Sequence, residues 1–412
     1  MLAEQFDAFL LDLDGVVYIG AELLPGAAEA LGRLRAAGKA IRFLTNDPRP
    51  TRIELAERLA GLGVEARADE VITCGWATAE FLRREGMRSV FVVGSAGLRA
   101  ELEQAGIAVV DRERPEAVVV GADEHLGYLD ILRASRLIHQ GARFVAVNVD
   151  GAFPIPGGLA PATGAVVSAV QAATGRRPIV VGKPSLPMFE LALASLPGRQ
   201  RVVMVGDTPE SDVLGAHQAG IPAILVAEEP PRYPTAGDFR NPDACIRSLL
   251  DLFEPGRSIR QWTRPSHPWP ERVAPGVAAV VLDGDGRVLL VKRADNGRWG
   301  LPMGQVERGE TVAEEVAREL REEVGLEVRI LRLVGVYSEP ASQVFVYPSG
   351  EAVQFVTCCL LCEISGGALR ADDAEILDAA FFPPDALPED LLSMHPRWLA
   401  DALAGQTVAF VR

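Results

Sequence analysis

Asp12-Leu13-Asp14-Gly15 closes an apolar run over residues 8–13, and so places two carboxylates two positions apart just before a residue that lets the backbone turn sharply. An anionic carboxylate can accept a phosphoryl group as an acyl phosphate, which divides one difficult displacement into two. A second acid two residues on can protonate the leaving alkoxide and then activate water. Three later apolar runs also end in polar residues: Thr45 follows 41–44, Lys183 follows 179–181, and Asp207, with Asp212 beyond it, follows 202–205. A single polar strand end is ordinarily a cap. A hydroxyl, an ammonium and several carboxylates together suit a phosphate and a magnesium ion, because lysine and Mg2+ neutralise the phosphate that an anion must attack.

A second constellation lies towards the other end of the chain. Glu319, Glu322 and Glu323 are related by i, i+3 and i+4, so a helix over residues 312–324 puts three carboxylates on one face. Ala313, Ala317, Leu320 and Val324 supply the apolar stripe expected to anchor that helix. Like charges on one face destabilise an isolated helix, so something must compensate, and hard divalent cations prefer oxygen ligands.

These groups need elements to hold them. From residue 7 to about 228 short apolar runs alternate with amphipathic stretches such as 53–62, a pattern that predicts an α/β protein with parallel strands buried on both faces. Carboxylates at the carboxyl ends of such strands sit where open α/β sheets place their ligands. Between 254 and 275, Pro255, Pro265, Pro268, Pro270 and Pro275 predict a linker without regular structure, docked onto a domain surface through Trp262 and Trp269. Beyond it, residues 277–282, the turn Asp283-Gly284-Asp285-Gly286 and residues 288–291 predict a hairpin. The helix follows, then strands over 328–336, 343–347 and 353–364, a mixed α+β pattern in a separate domain.

The chain has 412 residues, too many for one ordinary core, with 48% hydrophobic and 24% charged residues and a formal net charge of −15. So acidic a surface disfavours nucleic-acid binding through a general basic field, while small phosphorylated metabolites remain accessible through metal ions. Among 41 basic residues only Lys39, Lys183 and Lys292 are lysine, which singles out Lys183. The cysteines are Cys74, Cys245, Cys358, Cys359 and Cys362; Cys359 and Cys362 form a C-x-x-C in an apolar run without partner ligands, so buried thiols are expected rather than zinc. No cationic leader and no apolar run of membrane length is present, and the expectation is a reduced, cytoplasmic protein without a membrane partner. Homo-oligomerisation is left open.

The D-x-D-G motif, Thr45, Gly182-Lys183-Pro184 and Gly206-Asp207-x4-Asp212 resemble the haloacid-dehalogenase superfamily, most closely its p-nitrophenylphosphatase-like branch. The resemblance implies a Rossmann-like core over 1–79 and 179–254 with an inserted α/β cap over 80–178. It implies Asp12 as nucleophile and Asp14 as general acid/base, with Thr45, Asn46 and Lys183 binding phosphate. It also implies one Mg2+ held among Asp12, Asp14, Asp207 and Asp212, with Mn2+ as an alternative ion. Asn148, Asp150 and Gly151 would belong to the cap's substrate-facing loop. One departure is visible: Thr45-Asn46-Asp47 stands where the branch has Thr-Asn-Asn.

Gly304, Glu310, Arg318, Glu319, Leu320, Glu322, Glu323, Gly325 and Leu326 match the full pattern G-x5-E-x7-R-E-U-x-E-E-x-G-U of the Nudix hydrolases. That resemblance implies a separate α+β Nudix domain over 276–412, joined through a linker at 255–275. Glu319, Glu322, Glu323 and the Gly304 carbonyl would bind one or more Mg2+, with Glu310 and Arg318 bracing the loop against the helix. Water would attack a diphosphate linkage, with Glu323 or Glu375 as base. Pro340 resembles the downstream proline of ADP-ribose pyrophosphatases, and Tyr337, Phe345 and Tyr347 are either packing residues or a stacking surface for a base. The reading is a bifunctional hydrolase whose two reactions run in sequence. The alternatives are two unrelated house-cleaning activities, or one domain serving as a nucleotide sensor, a role that would not require both sets of catalytic residues.

Overall fold

The structure is a computed structural model describing all residues except 112–113, 156–157, 197, 199–200, 348–349, 372–374 and 393. The chain divides into two compact units, Met1–Arg264 and Pro265–Arg412.

In the first unit Ala8–Asp12 is central to a six-stranded parallel sheet, flanked by Ala40–Thr45 and Val71–Thr73 on one side and by Val202–Gly206, Ala223–Val226 and Ala244–Ile246 on the other. The alternation of the strand decides its two faces. Phe9 and Leu11 pack with Phe43, Val203 and Val205, whereas Ala8 and Leu10 pack with Leu44 and Met204. Every residue of this strand is buried, as expected for a sheet covered on both sides. The register pairs Asp12 with Leu44 and Leu11 with Val205, so Asp12, Thr45 and Asp207 emerge together at the carboxyl ends of three adjacent strands.

A second parallel sheet of five strands is built from Ser89–Val93, Ala108–Val109, Ala117–Val120, Arg143–Ala146 and Ile179–Val180. Here the structure corrects the sequence reading. The run before Lys183 was expected in the core from residue 179, yet Ile179 pairs with Val145 and Val180 with Ala146 in this second sheet. Lys183 therefore reaches the site from the connection that leaves the second sheet.

The expected linker at 255–275 is only partly irregular. Trp262 stacks on the His217 ring at 3.7 Å and donates its indole N–H to the His217 carbonyl, holding the end of the first unit against its own surface. Pro275, expected to break any regular element, lies inside the strand Arg272–Leu282, opposite Val356. A proline is tolerated there because the pairing on the strand's other side begins only at Gly276.

The second unit is a mixed sheet in which Arg272–Leu282 runs parallel to Ala352–Gly367, and Leu326–Tyr337 runs antiparallel to that long strand. Met303–Gln305 pairs with Gly276–Ala278 and sets Gly304 opposite Val277. The helix Val312–Val324 covers one face of the sheet. It starts at a capping box, in which Thr311 accepts from the Glu314 N–H while the Glu314 carboxylate accepts from the Thr311 N–H, and ends at Gly325 with φ 70°. Its buried stripe is Val316, Leu320 and Val324, packed on Val277, Ala279 and Leu360. Ala313, expected in that stripe, is exposed. Cys359 and Cys362 are both buried free thiols, and they pack into different core clusters. Their odd spacing puts them on opposite faces of the strand.

Candidate active sites

The first site is organised around a buried lysine. Lys183, 2% exposed, places its ammonium 2.8 Å from Asp12 Oδ1 and 2.7 Å from Asp212 Oδ1. Asp12, Asp207 and Asp212 offer carboxylate oxygens that all lie within 4.8 Å of one another, and among the described residues no other acidic group of three comes so close. Asp14, expected both as acid/base and beside the metal, is outside this group and is exposed.

Local backbone makes the approach of the acids feasible. Gly15 has φ 74°, and a Cβ built there would lie 2.0 Å from Asp207 Oδ2. Asp212 comes from the helical turn Pro209–Val213, and its Oδ2 accepts from the Thr208 N–H at 3.1 Å. Three carboxylates around one ammonium leave an excess of negative charge, which is the donor set a hard divalent cation requires. The tight gathering of Asp12, Asp207 and Asp212 fits such an ion.

The electrostatics follow from this crowding. Burial, and then the Asp212 carboxylate, push the Asp12 carboxyl well above the usual range, with Lys183 opposing both. Burial and Asp212 raise Asp207 in the same way. Asp14, although exposed as a residue, has its carboxyl raised by partial desolvation and by the Asp47 charge. Lys183 is held above its ordinary value, since Asp12 and Asp212 outweigh the effect of burial.

Thr45 is buried, and its Oγ1 accepts from the Asp47 N–H at 3.1 Å, leaving the hydroxyl proton to donate. Asn46, expected to bind phosphate, has its side chain committed elsewhere. Its Oδ1 accepts from the Lys183 N–H at 3.0 Å, and its Nδ2 donates to the Lys183 carbonyl at 2.9 Å and to Asp150 Oδ2 at 3.0 Å. The side chain thus braces Lys183 and ties it to the 148–151 segment. Asn148 donates to the Asn46 carbonyl at 2.7 Å, and the Asp150 N–H donates to Asn148 Oδ1. Asp47, the departure from the family pattern, accepts from the Arg49 guanidinium at 2.8 Å.

The second site lies along a cavity of about 490 Å³ whose lining includes Glu319, Glu323, Glu375, Phe345, Tyr347 and Gly304. Arg318 donates to Glu310 Oε1 at 2.7 Å and Oε2 at 3.3 Å, tying the loop to the helix. The same guanidinium reaches Glu319 Oε1 and Glu322 Oε2, each at 3.1 Å. Glu323 is buried, whereas the Glu322 side chain is 62% exposed. Burial, and then Glu375 nearby, raise the Glu319 carboxyl against the opposing pull of Arg318. Tyr337 is a packing residue first: it is buried, and its hydroxyl donates to Asp401 at 3.0 Å. Phe345 meets Phe355 edge to face on the cavity wall, and Tyr347 is exposed at it. Pro340 begins the helical turn Pro340–Gln343.

One residue escaped the sequence reading. Glu315 lies a turn before Glu319, is fully buried, and has no hydrogen-bond partner for either carboxylate oxygen. Burial, and then Glu319, push its carboxyl up to about 8. Extending the i, i+4 rule one turn back would have found it. A Cβ built on Gly304 would lie 2.0 Å from Glu315 Oε1 and 2.5 Å from Glu319 Oε1, so the two acids converge on that glycine. An orphaned buried carboxylate beside a second one is a donor set that fits a divalent cation here also.

Each of the two units is similar to known proteins. A family model described as haloacid dehalogenase-like hydrolase matches residues 9–108, a second, HAD-hydrolase-like, matches 180–252, and the NUDIX domain model matches 272–402. Chronophin of Rattus norvegicus is 37% identical over 271 residues, covering 61% of this chain and 88% of that protein. An acid sugar phosphatase of Staphylococcus saprophyticus is 35% identical over 225 residues, covering 54% and 87%. Among solved structures, a glycerol phosphate phosphatase from Mycobacterium tuberculosis in complex with magnesium is 32% identical with a TM-score of 0.57, covering 61% of this chain and 77% of that one. A p-nitrophenyl phosphatase from Archaeoglobus fulgidus is 33% identical with a TM-score of 0.56, covering 60% and 98%. No helix among the described residues is long and apolar enough to cross a membrane.

Proposed function

The chain belongs to the haloacid dehalogenase-like hydrolases and carries a NUDIX domain in the same polypeptide, and on that basis we propose that it is a bifunctional, magnesium-dependent hydrolase acting on small phosphorylated metabolites. The observation that carries the first activity is Lys183 buried between Asp12 and Asp212, with Asp207 completing the acidic group. A divalent cation held by Asp12, Asp207 and Asp212 would supply charge neutralisation at the phosphate, Mg2+ in the first instance and Mn2+ as the alternative.

An Asp12 oxygen attacks phosphorus, the ester oxygen departs with a proton from Asp14, and the phosphoryl group remains on Asp12. Water, losing its proton to Asp14, then attacks phosphorus, breaks the acyl-phosphate bond and releases inorganic phosphate and the free carboxylate. The raised Asp14 carboxyl suits it to deliver the proton first. The Lys183 ammonium and the Thr45 hydroxyl hold phosphate oxygens. Lys183 favours the anionic form of Asp12 against burial and Asp212, which together raise its carboxyl.

In the second unit Glu319, Glu322, Glu323 and the Gly304 carbonyl would hold the cation, and Glu323 or Glu375, both on the cavity wall, accepts the proton of the attacking water. The cavity has room for a nucleoside diphosphate linked to a further group. We read the two reactions as sequential, with ADP-ribose as the first candidate. Hydrolysis of its diphosphate gives AMP and ribose 5-phosphate, each a phosphomonoester. Relatives named for sugar and glycerol phosphates support a sugar monoester as substrate of the first unit.

The test is release of inorganic phosphate from ADP-ribose, which itself contains no phosphomonoester. Wild-type protein with Mg2+ should release it; Asp12→Asn should accumulate AMP and ribose 5-phosphate; Glu322→Gln/Glu323→Gln should leave ADP-ribose intact. If no nucleoside-diphosphate compound gives phosphate release dependent on both sites, the sequential reading fails and two unrelated hydrolases take its place.

A further inference from the structure

Glu315 is costly wherever nothing binds it. A fully buried carboxylate loses its water, and here neither oxygen accepts a hydrogen bond from a protein donor to replace it. It also stands one turn before Glu319 on the same helix face, where like charges repel. Arg318 does not answer it. Its Nη2 is 3.9 Å from Glu315 Oε1, and the guanidinium already serves Glu310, Glu319 and Glu322 at shorter range. The two acids nevertheless converge on one point, the Gly304 backbone, where no side chain could be accommodated.

We propose that Glu315 is a direct ligand of the divalent cation in the second unit, acting with Glu319 and the Gly304 carbonyl, in addition to the glutamates of the Nudix pattern. This rests on the second unit being a metal-dependent hydrolase. A bound cation reverses both costs at once: it supplies the missing partner for the buried oxygens and removes the repulsion between Glu315 and Glu319. A residue present only for packing would do better as alanine, which favours the helix and buries no charge.

The test uses the full chain with Asp12→Asn and Asp207→Asn, which disables the carboxylate group of the first unit. Mn2+ binding is followed by the electron paramagnetic resonance signal of the free ion, and thermal unfolding is recorded without metal. Glu315→Gln and Glu315→Ala should each weaken Mn2+ binding at least tenfold, with no fall in the metal-free Tm. Mn2+ affinity within threefold of the parent in both variants overturns the assignment. So does loss of the second unit's fold in both metal-free variants, which would make the carboxyl a structural requirement. Glu319→Gln separates the inference from the reading beneath it. If that variant weakens Mn2+ binding while the Glu315 variants do not, the inference alone fails. If none of the three changes Mn2+ binding, the metal-dependent reading of the second unit fails as well.

Discussion

The two units handle a surplus of carboxylates in opposite ways. In the first, the acids close around a cation of the chain's own: Lys183 is buried between Asp12 and Asp212, and the three aspartates stand together before any ion arrives. In the second, the Arg318 guanidinium serves Glu310, Glu319 and Glu322 and donates no hydrogen bond to Glu315. The contrast teaches what each site needs. The first is assembled around the buried ammonium, and removing Lys183 should damage the fold. The second is held by its helix and loop, and removing an acid should cost binding and catalysis more than stability.

The largest effect expected is on chemistry in the first unit. Asp12→Asn should lower kcat for p-nitrophenyl phosphate by several orders of magnitude, about 10³-fold or more, because the covalent route is lost; steady-state kinetics measures it. Next is the internal pairing itself. Lys183→Met strands two buried carboxylates and should destabilise the first unit by about 3–5 kcal/mol in a denaturant titration. A loss near zero would mean that the lysine does not hold the acids together.

Smaller effects probe the second unit. Thr311→Ala removes the capping box of the helix and should cost about 1 kcal/mol, seen as a lower Tm with Nudix turnover per folded molecule unchanged. The smallest is Glu322→Gln in metal-free protein. Its pair with Arg318 is exposed, so stability should change by no more than about 0.5 kcal/mol. A large loss there would erase the difference between the two sites.

What could be read from the residues alone depended on how local the cause was. Asp12, Asp14 and the strand before them were legible because alternation and a following glycine are local facts. The three glutamates were legible for the same reason, since helical spacing fixes their common face. The partner of the Ile179–Val180 strand was not, because a short apolar run looks alike in either parallel sheet and its pairing is settled far away in sequence. Asn46 was legible as a polar residue just past the Ala40–Thr45 strand, but its commitment to Lys183 and Asp150 depends on a segment 104 residues on. Ala313 misled because alanine suits both faces of a helix, while Val316 defined the buried one. Glu315 was overlooked because an acid on an acidic helix is ordinarily solvated, and only the packing of Gly304 against it reveals otherwise.

The most direct test of the account is a reciprocal assay of two variants of the full chain. Asp12→Asn and Glu322→Gln/Glu323→Gln are each given p-nitrophenyl phosphate and ADP-ribose with Mg2+, following p-nitrophenol in one case and AMP in the other. Two separate sites predict that the first variant loses only monoester hydrolysis and the second only diphosphate cleavage, each keeping the other rate within about twofold of wild type. Loss of both activities in either variant would contradict two independent active sites in one chain.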